Sequence, residues 1–250
     1  SASMAHAGLL VTDGAEPVEV AHPEVELNGT YTIDKAKSGG VTAKCHSTDG
    51  DVTLTAGVYP GGDLSVGLPY TFVTREKIKG GVTSRIDGLN DMTVDVKYRF
   101  FDRDGFKLAI KPGLIIPTGR DSEGLSDGRT GVTAALLATK EIADGKVALH
   151  ANAGYERHNY EDRDVDATSR ADIFSFSVAA ETEVAAGLKL ALDAGLSTNS
   201  EKGHSTPPVY ILCGGVYEMT KNLEIYAGIK VGVTETEDNF AGLAGLKYKL

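Results

Sequence analysis

Twelve stretches of this 250-residue chain alternate apolar with polar residues, and the breaks between them alternate short with long. No other feature constrains the fold as strongly. Successive strand side chains point to opposite faces, so strict alternation sets one face against an apolar medium and the other against water. The clearest case is 188–197: Leu188, Leu190, Leu192, Ala194 and Leu196 share one side, Lys189, Asp193 and Ser197 the other. The spacing predicts strands over 24–35, 51–60, 63–76, 89–101, 106–117, 130–142, 146–159, 171–184, 188–200, 208–219, 223–235 and 239–250.

Breaks after the even-numbered strands are tight: Pro60 to Asp63, Asp102 to Gly105, Ala143 to Gly145, Ala185 to Gly187 and Lys221-Asn222. Gly, Asp and Asn supply the positive φ that such hairpins need. Breaks after odd strands, at 36–50, 77–88, 118–129, 160–170 and 201–207, are longer and polar, with a small sixth at 236–238. A membrane strand takes about 9–11 residues, and bacterial barrels join such strands by short periplasmic turns and longer outer loops. The chain therefore reads as all-β: a twelve-stranded antiparallel transmembrane β-barrel over 23–250, in a bacterial outer membrane. Residues 1–22 carry no period and form an N-terminal periplasmic or lumenal segment.

Aromatic residues supply a second test. With odd strands rising and even strands descending, Tyr70, Phe72, Tyr155, Phe174, Phe176 and Phe240 fall toward the loop end of the apolar face. Tyr98, Phe100, Phe106, Tyr217 and Tyr248 fall toward the turn end. Two girdles are what amphipathic rings form at the two membrane interfaces. A soluble sandwich gives no reason for short and long breaks to alternate, and a lipocalin-like barrel would turn its apolar face inward.

Composition narrows the function classes. No run of eighteen apolar residues exists, so no helix crosses a membrane, but a barrel wall is apolar only at every second residue. A net charge of −10 argues against a nucleic-acid partner, which would call for a basic stripe. Two cysteines make no disulfide framework. Cys213 has the apolar parity of its strand, and Cys45 falls in a predicted loop. Ser1 to Ala7 is rich in small residues, like the tail of a secretory signal.

Several segments resemble the outer-membrane channel family named for the MetA pathway of phenol degradation. They are Leu10-Val-Thr-Asp13, Leu64-Ser-Val-Gly-Leu-Pro-Tyr70, Gly88-Leu-Asn-Asp91 followed by Lys97-Tyr-Arg99, Pro117-Thr-Gly119, and His150-Ala-Asn-Ala-Gly-Tyr155. The C-terminal third is similar only in rhythm, and His6-Ala-Gly-Leu9 departs from the His-Pro expected before the first motif. The resemblance implies a monomeric twelve-stranded barrel that passes small, often hydrophobic or aromatic, molecules. Its partners are then the solute and the surrounding outer-membrane lipid and lipopolysaccharide, with no cofactor and no catalysis.

The inward parity is rich in charge. Asp95, Lys97, Arg99, Lys107, Lys111, His150, Asn152, Glu156, Lys189, Asp193, Glu224, Lys230 and Lys247 are the candidate pore-lining residues. Lys97, Arg99, Lys107 and Lys111 belong to adjacent strands and would line one wall, where facing charges set a transverse field. The bland alternative is that ion pairs fill a narrow lumen. Loop 118–129 is a candidate constriction through Arg120, Asp121, Glu123, Asp127 and Arg129.

Other motifs fail on chemistry. Asp162-Arg-Asp-Val-Asp166 begins like a calcium loop, but Ala167 and Ile173 stand where Gly and Glu are required. Cys45-His46 lacks the first cysteine of a haem-attachment motif. No nucleophile, base and orienter converge, so a hydrolase is the least favoured class. A structural barrel whose acidic loops bind a partner is the remaining alternative. Pro69 and Pro112 fall inside strands, where a missing N–H weakens the ladder and would mark a seam for sideways exit.

Overall fold

The computed structural model describes residues 9–38, 41–78 and 83–250 and shows a closed, twelve-stranded antiparallel β-barrel. Its strands are β1 (Glu24–Ser38), β2 (Val41–Tyr59), β3 (Gly62–Ile78), β4 (Thr83–Leu89), β5 (Met92–Arg103), β6 (Phe106–Ile116) and β7 (Gly131–Ile142). They continue with β8 (Val147–Arg157), β9 (Asp172–Ala185), β10 (Leu188–Ser197), β11 (Val209–Thr220), β12 (Leu223–Gly232) and β13 (Phe240–Lys249). β4 and β5 are two pieces of one stave, since β3 pairs β4 through Tyr70–Lys77 and β5 through Gly62–Gly67. The barrel closes where β1 pairs both β13 and β2.

The apolar parity faces outward. Leu190, Leu192, Ile229 and Val231 are 50%, 55%, 48% and 42% exposed, whereas Asp193 between them on the other face is 1% exposed. A soluble protein would not leave such a belt bare, and lipid is the medium that covers it. Both aromatic girdles contribute to that surface, with Phe72, Phe174 and Phe176 at one end and Tyr98, Phe100 and Tyr217 at the other. The tight turns carry the expected positive φ, at Gly61, at Asp104-Gly105, at Ala143-Asp-Gly145 and at Gly187.

Four sequence expectations need correction. Within the break at 36–50, residues 36–38 and 41–50 are strand: β1 and β2 pair from Glu24↔Thr55 to Ser38↔Val41, so Cys45 sits in β2 opposite Asp34. Alternation runs on there with Thr, Lys and Ser, whose polarity suits a hairpin standing above the membrane. Most of 77–88 is likewise strand, in β3 and β4; its tip at 79–82 lies outside the described residues. The predicted strand 89–101 is broken at Asn90-Asp91, which follows Gly88 at φ +152. Loop 160–170 holds a short helix, α1 (Arg163–Thr168), capped by Asp162, whose carboxylate accepts from the N–H groups of Asp164 and Val165. Asp162 thus has a capping role. Cys213 is exposed on the outer face.

Candidate functional site

The lumen is not empty. Residues 9–18 run inside the barrel and pack against its inner wall, although they show no regular pattern of their own. Leu9 and Leu10 join Ala179, Ala191, Tyr210, Leu212 and Tyr226 in an apolar cluster. Gly214 and Gly228 make the seat for Leu9: a Cβ on either would lie 2.8 or 2.6 Å from a Leu9 methyl. Ala15 packs with Ala109, Ala135 and Leu137. Its N–H donates to Thr139 Oγ1 at 2.9 Å, and the Val18 N–H donates to Asp63 Oδ2 at 2.7 Å.

Charge holds the segment more specifically than apolar contact does. Asp13 bridges Lys97 Nζ at 2.9 Å and Lys111 Nζ at 3.0 Å, and all three side chains are nearly buried. Burial alone would raise the Asp13 carboxyl, but Lys111 and Lys97 outweigh it and hold the group well below the usual carboxylate range. Glu16 lies further along the same wall, paired with Arg99 and with Lys107 Nζ at 2.6 Å. Its burial is likewise outweighed, by Lys107 and then Arg99, so it too stays ionised.

The structure thus brings Lys97, Arg99, Lys107 and Lys111 together, on the carboxylates of Asp13 and Glu16. Asp193 accepts from both the backbone N–H and the hydroxyl of Thr12. Asn152, with its amide turned to satisfy both groups, donates to the Asp13 carbonyl and accepts from the Asp13 N–H. Asp95 is buried and accepts from Thr133 Oγ1 at 3.3 Å. His150 meets Thr139 Oγ1 at 2.9 Å and lies 3.8 Å from Glu181.

Across the lumen, Lys247 pairs with Glu26 at 2.8 Å, and Glu224 accepts from Lys249 at 3.1 Å. Lys230 sits apart, bonded to Glu237 and lying over the Tyr210 ring. Between this wall and the segment lies a cavity of about 300 Å³, lined by Lys97, Lys111, His150, Lys189, Glu224 and Lys247 among others. Its apolar patches come from Leu9, Leu10, Val18, Val216 and Tyr226.

At the loop end, 118–129 is pinned rather than free. Asp91 accepts from the N–H groups of Thr118, Gly119 and Asp127, which gives the Gly88–Asp91 and Pro117–Gly119 motifs a shared physical purpose. Asp127 then meets His158 Nδ1 at 2.6 Å, and Glu156 meets His158 Nε2 at 3.2 Å. Burial would lower the His158 pKa, but the two carboxylates outweigh it and raise it to about 9. Arg120 pairs with Glu123 and donates to the Asp87 carbonyl, Asp121 accepts from the Ser122 N–H, and Arg129 is exposed. Of the five loop residues, Asp127 alone reaches a buried side-chain partner among the described residues.

Sequence reasoning missed Thr12, Asp13, Glu16 and Asp91 as organising residues. One signal was available. Four cations stand on the inward parity of β5 and β6, whose only acids are Asp95 and Asp102, and such a wall needs carboxylates from elsewhere.

A sequence profile for the family described as "Putative MetA-pathway of phenol degradation" matches residues 18–250. No curated protein matches the chain significantly. Among solved structures, an outer-membrane channel of the COG4313 group from Pseudomonas putida F1 is similar at a TM-score of 0.76 and 14% identity, over 94% of this chain and 98% of that one. The NanC porin follows at 0.61 and 14%, covering 90% and 100%. The translocator domain of the autotransporter NalP from Neisseria meningitidis reaches 0.57 and 12%, covering 93% and 90%. At these identities the likeness is one of fold, that of outer-membrane barrels.

Proposed function

We propose, from the premise that the chain belongs to the MetA-pathway of phenol degradation family, that it is a passive channel for small organic solutes, hydrophobic and aromatic compounds among them. The two-faced wall carries this reading: a bare apolar belt outside, ionised side chains inside, and a cavity of about 300 Å³ between wall and segment. Diffusion through such a lumen runs down the solute's own gradient. The barrel works as a monomer in contact with outer-membrane lipid and lipopolysaccharide. Liposome swelling with phenol, benzoate, neutral sugars and amino acids tests the reading. Faster entry of the aromatic solutes supports it, and no swelling with any of them rejects it in favour of a closed, surface-binding barrel.

A second route is favoured by the backbone. The β5–β6 ladder stops at Asp95↔Gly113 and resumes at Tyr98↔Ile110, with no ladder pair between Val96-Lys97 and Lys111-Pro112, although each strand keeps its pairing on the other edge. On the other edge of β5, pairing with β3 ends at Gly67↔Thr93, and the Asn90 N–H donates to the Pro69 carbonyl at 3.0 Å before β3 pairs with β4 from Tyr70↔Leu89. Pro112 therefore borders a gap beside this stave, a place for an apolar solute to leave sideways into lipid.

A further inference from the structure

The two lumenal carboxylates use the cationic wall in the same way. Asp13 joins Lys97 of β5 to Lys111 of β6, and Glu16 joins Arg99 of β5 to Lys107 of β6. The wall thus offers two seats, each a pair of cationic side chains closing on a carboxylate of the segment; Arg99 and Lys107 of the second also pair with Asp102 and Glu141. The anion comes in both cases from a segment held without covalent attachment to that wall. A buried ionic cluster is a poor device for stability alone, since apolar residues of similar volume often do as well or better. Charge kept in such a place suits an anion that exchanges.

The deeper seat opens on the cavity of about 300 Å³, at the lower end of the range for small-molecule sites. Lys97 and Lys111 form its cationic side, while Leu10, Val18, Val216 and Tyr226 offer apolar surface within reach of the same space. Carboxylates line part of the remainder, including Glu26 and Asp63, each about 2% exposed. Lys189 and Lys247 line the same cavity among these acids.

We propose that Lys97 and Lys111 form a binding seat for the carboxylate of a small organic acid, its apolar body lying along Leu10, Val18 and Tyr226, and that Asp13 fills this seat when no solute is bound. The proposal rests on the channel reading above and narrows its solute class. A solute carboxylate replaces the two charge-assisted bonds that Asp13 surrenders, so neither ammonium is left unpaired in the lumen. A neutral isostere cannot make that exchange.

Liposome swelling with sodium benzoate and with benzamide tests the seat, and potassium chloride current through the full-length protein in planar bilayers reports the channel itself. Benzoate is expected to enter saturably and faster than benzamide. Lys97→Met with Lys111→Met should cut that preference by about tenfold or more, the scale of losing charge-assisted hydrogen bonds. Asp13→Asn should lower the benzoate concentration that gives half-maximal rate. If the double variant does not fold, Asp13→Leu with both lysine changes removes the three charges together and serves in its place. A wild type that passes current but takes benzoate no faster than benzamide, or a double variant that keeps the preference, overturns the seat and leaves the channel standing. A wild type with neither current nor swelling overturns the channel, and the seat falls with it.

Discussion

The carboxylate of Asp193 on β10 grips Thr12 twice, taking the backbone N–H at 2.8 Å and the hydroxyl at 2.9 Å, across 181 residues of sequence. A third donor, the Tyr210 hydroxyl, reaches the same group at 3.1 Å. Asp193→Ala leaves these donors without their acceptor in a buried place, at a cost of about 1–3 kcal/mol. The segment should then detach more often, giving a larger and noisier single-channel current with a lower melting temperature. An unchanged current trace would show that Asp193 does not hold the segment.

Gly113 makes room for Asp95. A Cβ there would lie 2.0 Å from Asp95 Oδ1 and 2.5 Å from Thr133 Oγ1. Gly113→Ala should therefore destabilise the barrel by about 1–3 kcal/mol through overpacking, and adding Asp95→Ala should recover part of that loss. Denaturant unfolding in detergent micelles gives both numbers. Equal stability for Gly113→Ala and wild type would contradict the packing described.

The His158 contacts make the rim sensitive to alkali. Its folded pKa of about 9 lies above the ordinary 6.5, so the stabilisation it gives is complete below about 6.5 and is lost as pH rises through about 9. Imidazole proton shifts should titrate with a midpoint near 9 in the wild type and closer to the ordinary value in Asp127→Asn. A wild-type midpoint near 6.5 would mean that Asp127 and Glu156 do not clasp the ring.

Leu192 stands 55% exposed in the middle of β10. If lipid covers it, Leu192→Lys should destabilise the folded barrel in bilayers by about 2–4 kcal/mol. Little or no change would place that face in water.

Closing the gap beside Pro112 tests the sideways route. In a background without Cys45 and Cys213, a disulfide from Val96→Cys to Pro112→Cys staples β5 to β6. It should slow uptake of an apolar aromatic while leaving ionic current in place. Undiminished aromatic uptake with the staple formed would assign that solute to the axial path.

Most of the wall was legible because alternation is a local property: Leu188 to Ser197 carry their own two faces, and Asp104-Gly105 carry their own turn. Residues 41–50 misled because polar residues in a strand above the membrane look like loop. Pairing with Asp34 and Glu76, rather than composition, makes Cys45 part of a strand. Asp13 could not be placed from its neighbours, since its partners Lys97 and Lys111 stand 84 and 98 residues away. The broken stave at Asn90-Asp91 was hidden for a similar reason. The role of Asp91 depends on three N–H groups from 118, 119 and 127.

Single-channel conductance of the wild type beside a variant lacking residues 9–16 reaches the central matter most directly. A water-bearing barrel narrowed by its own segment should give a small, steady current that rises several-fold on deletion. Silence from both proteins, or the same current from both, would contradict it.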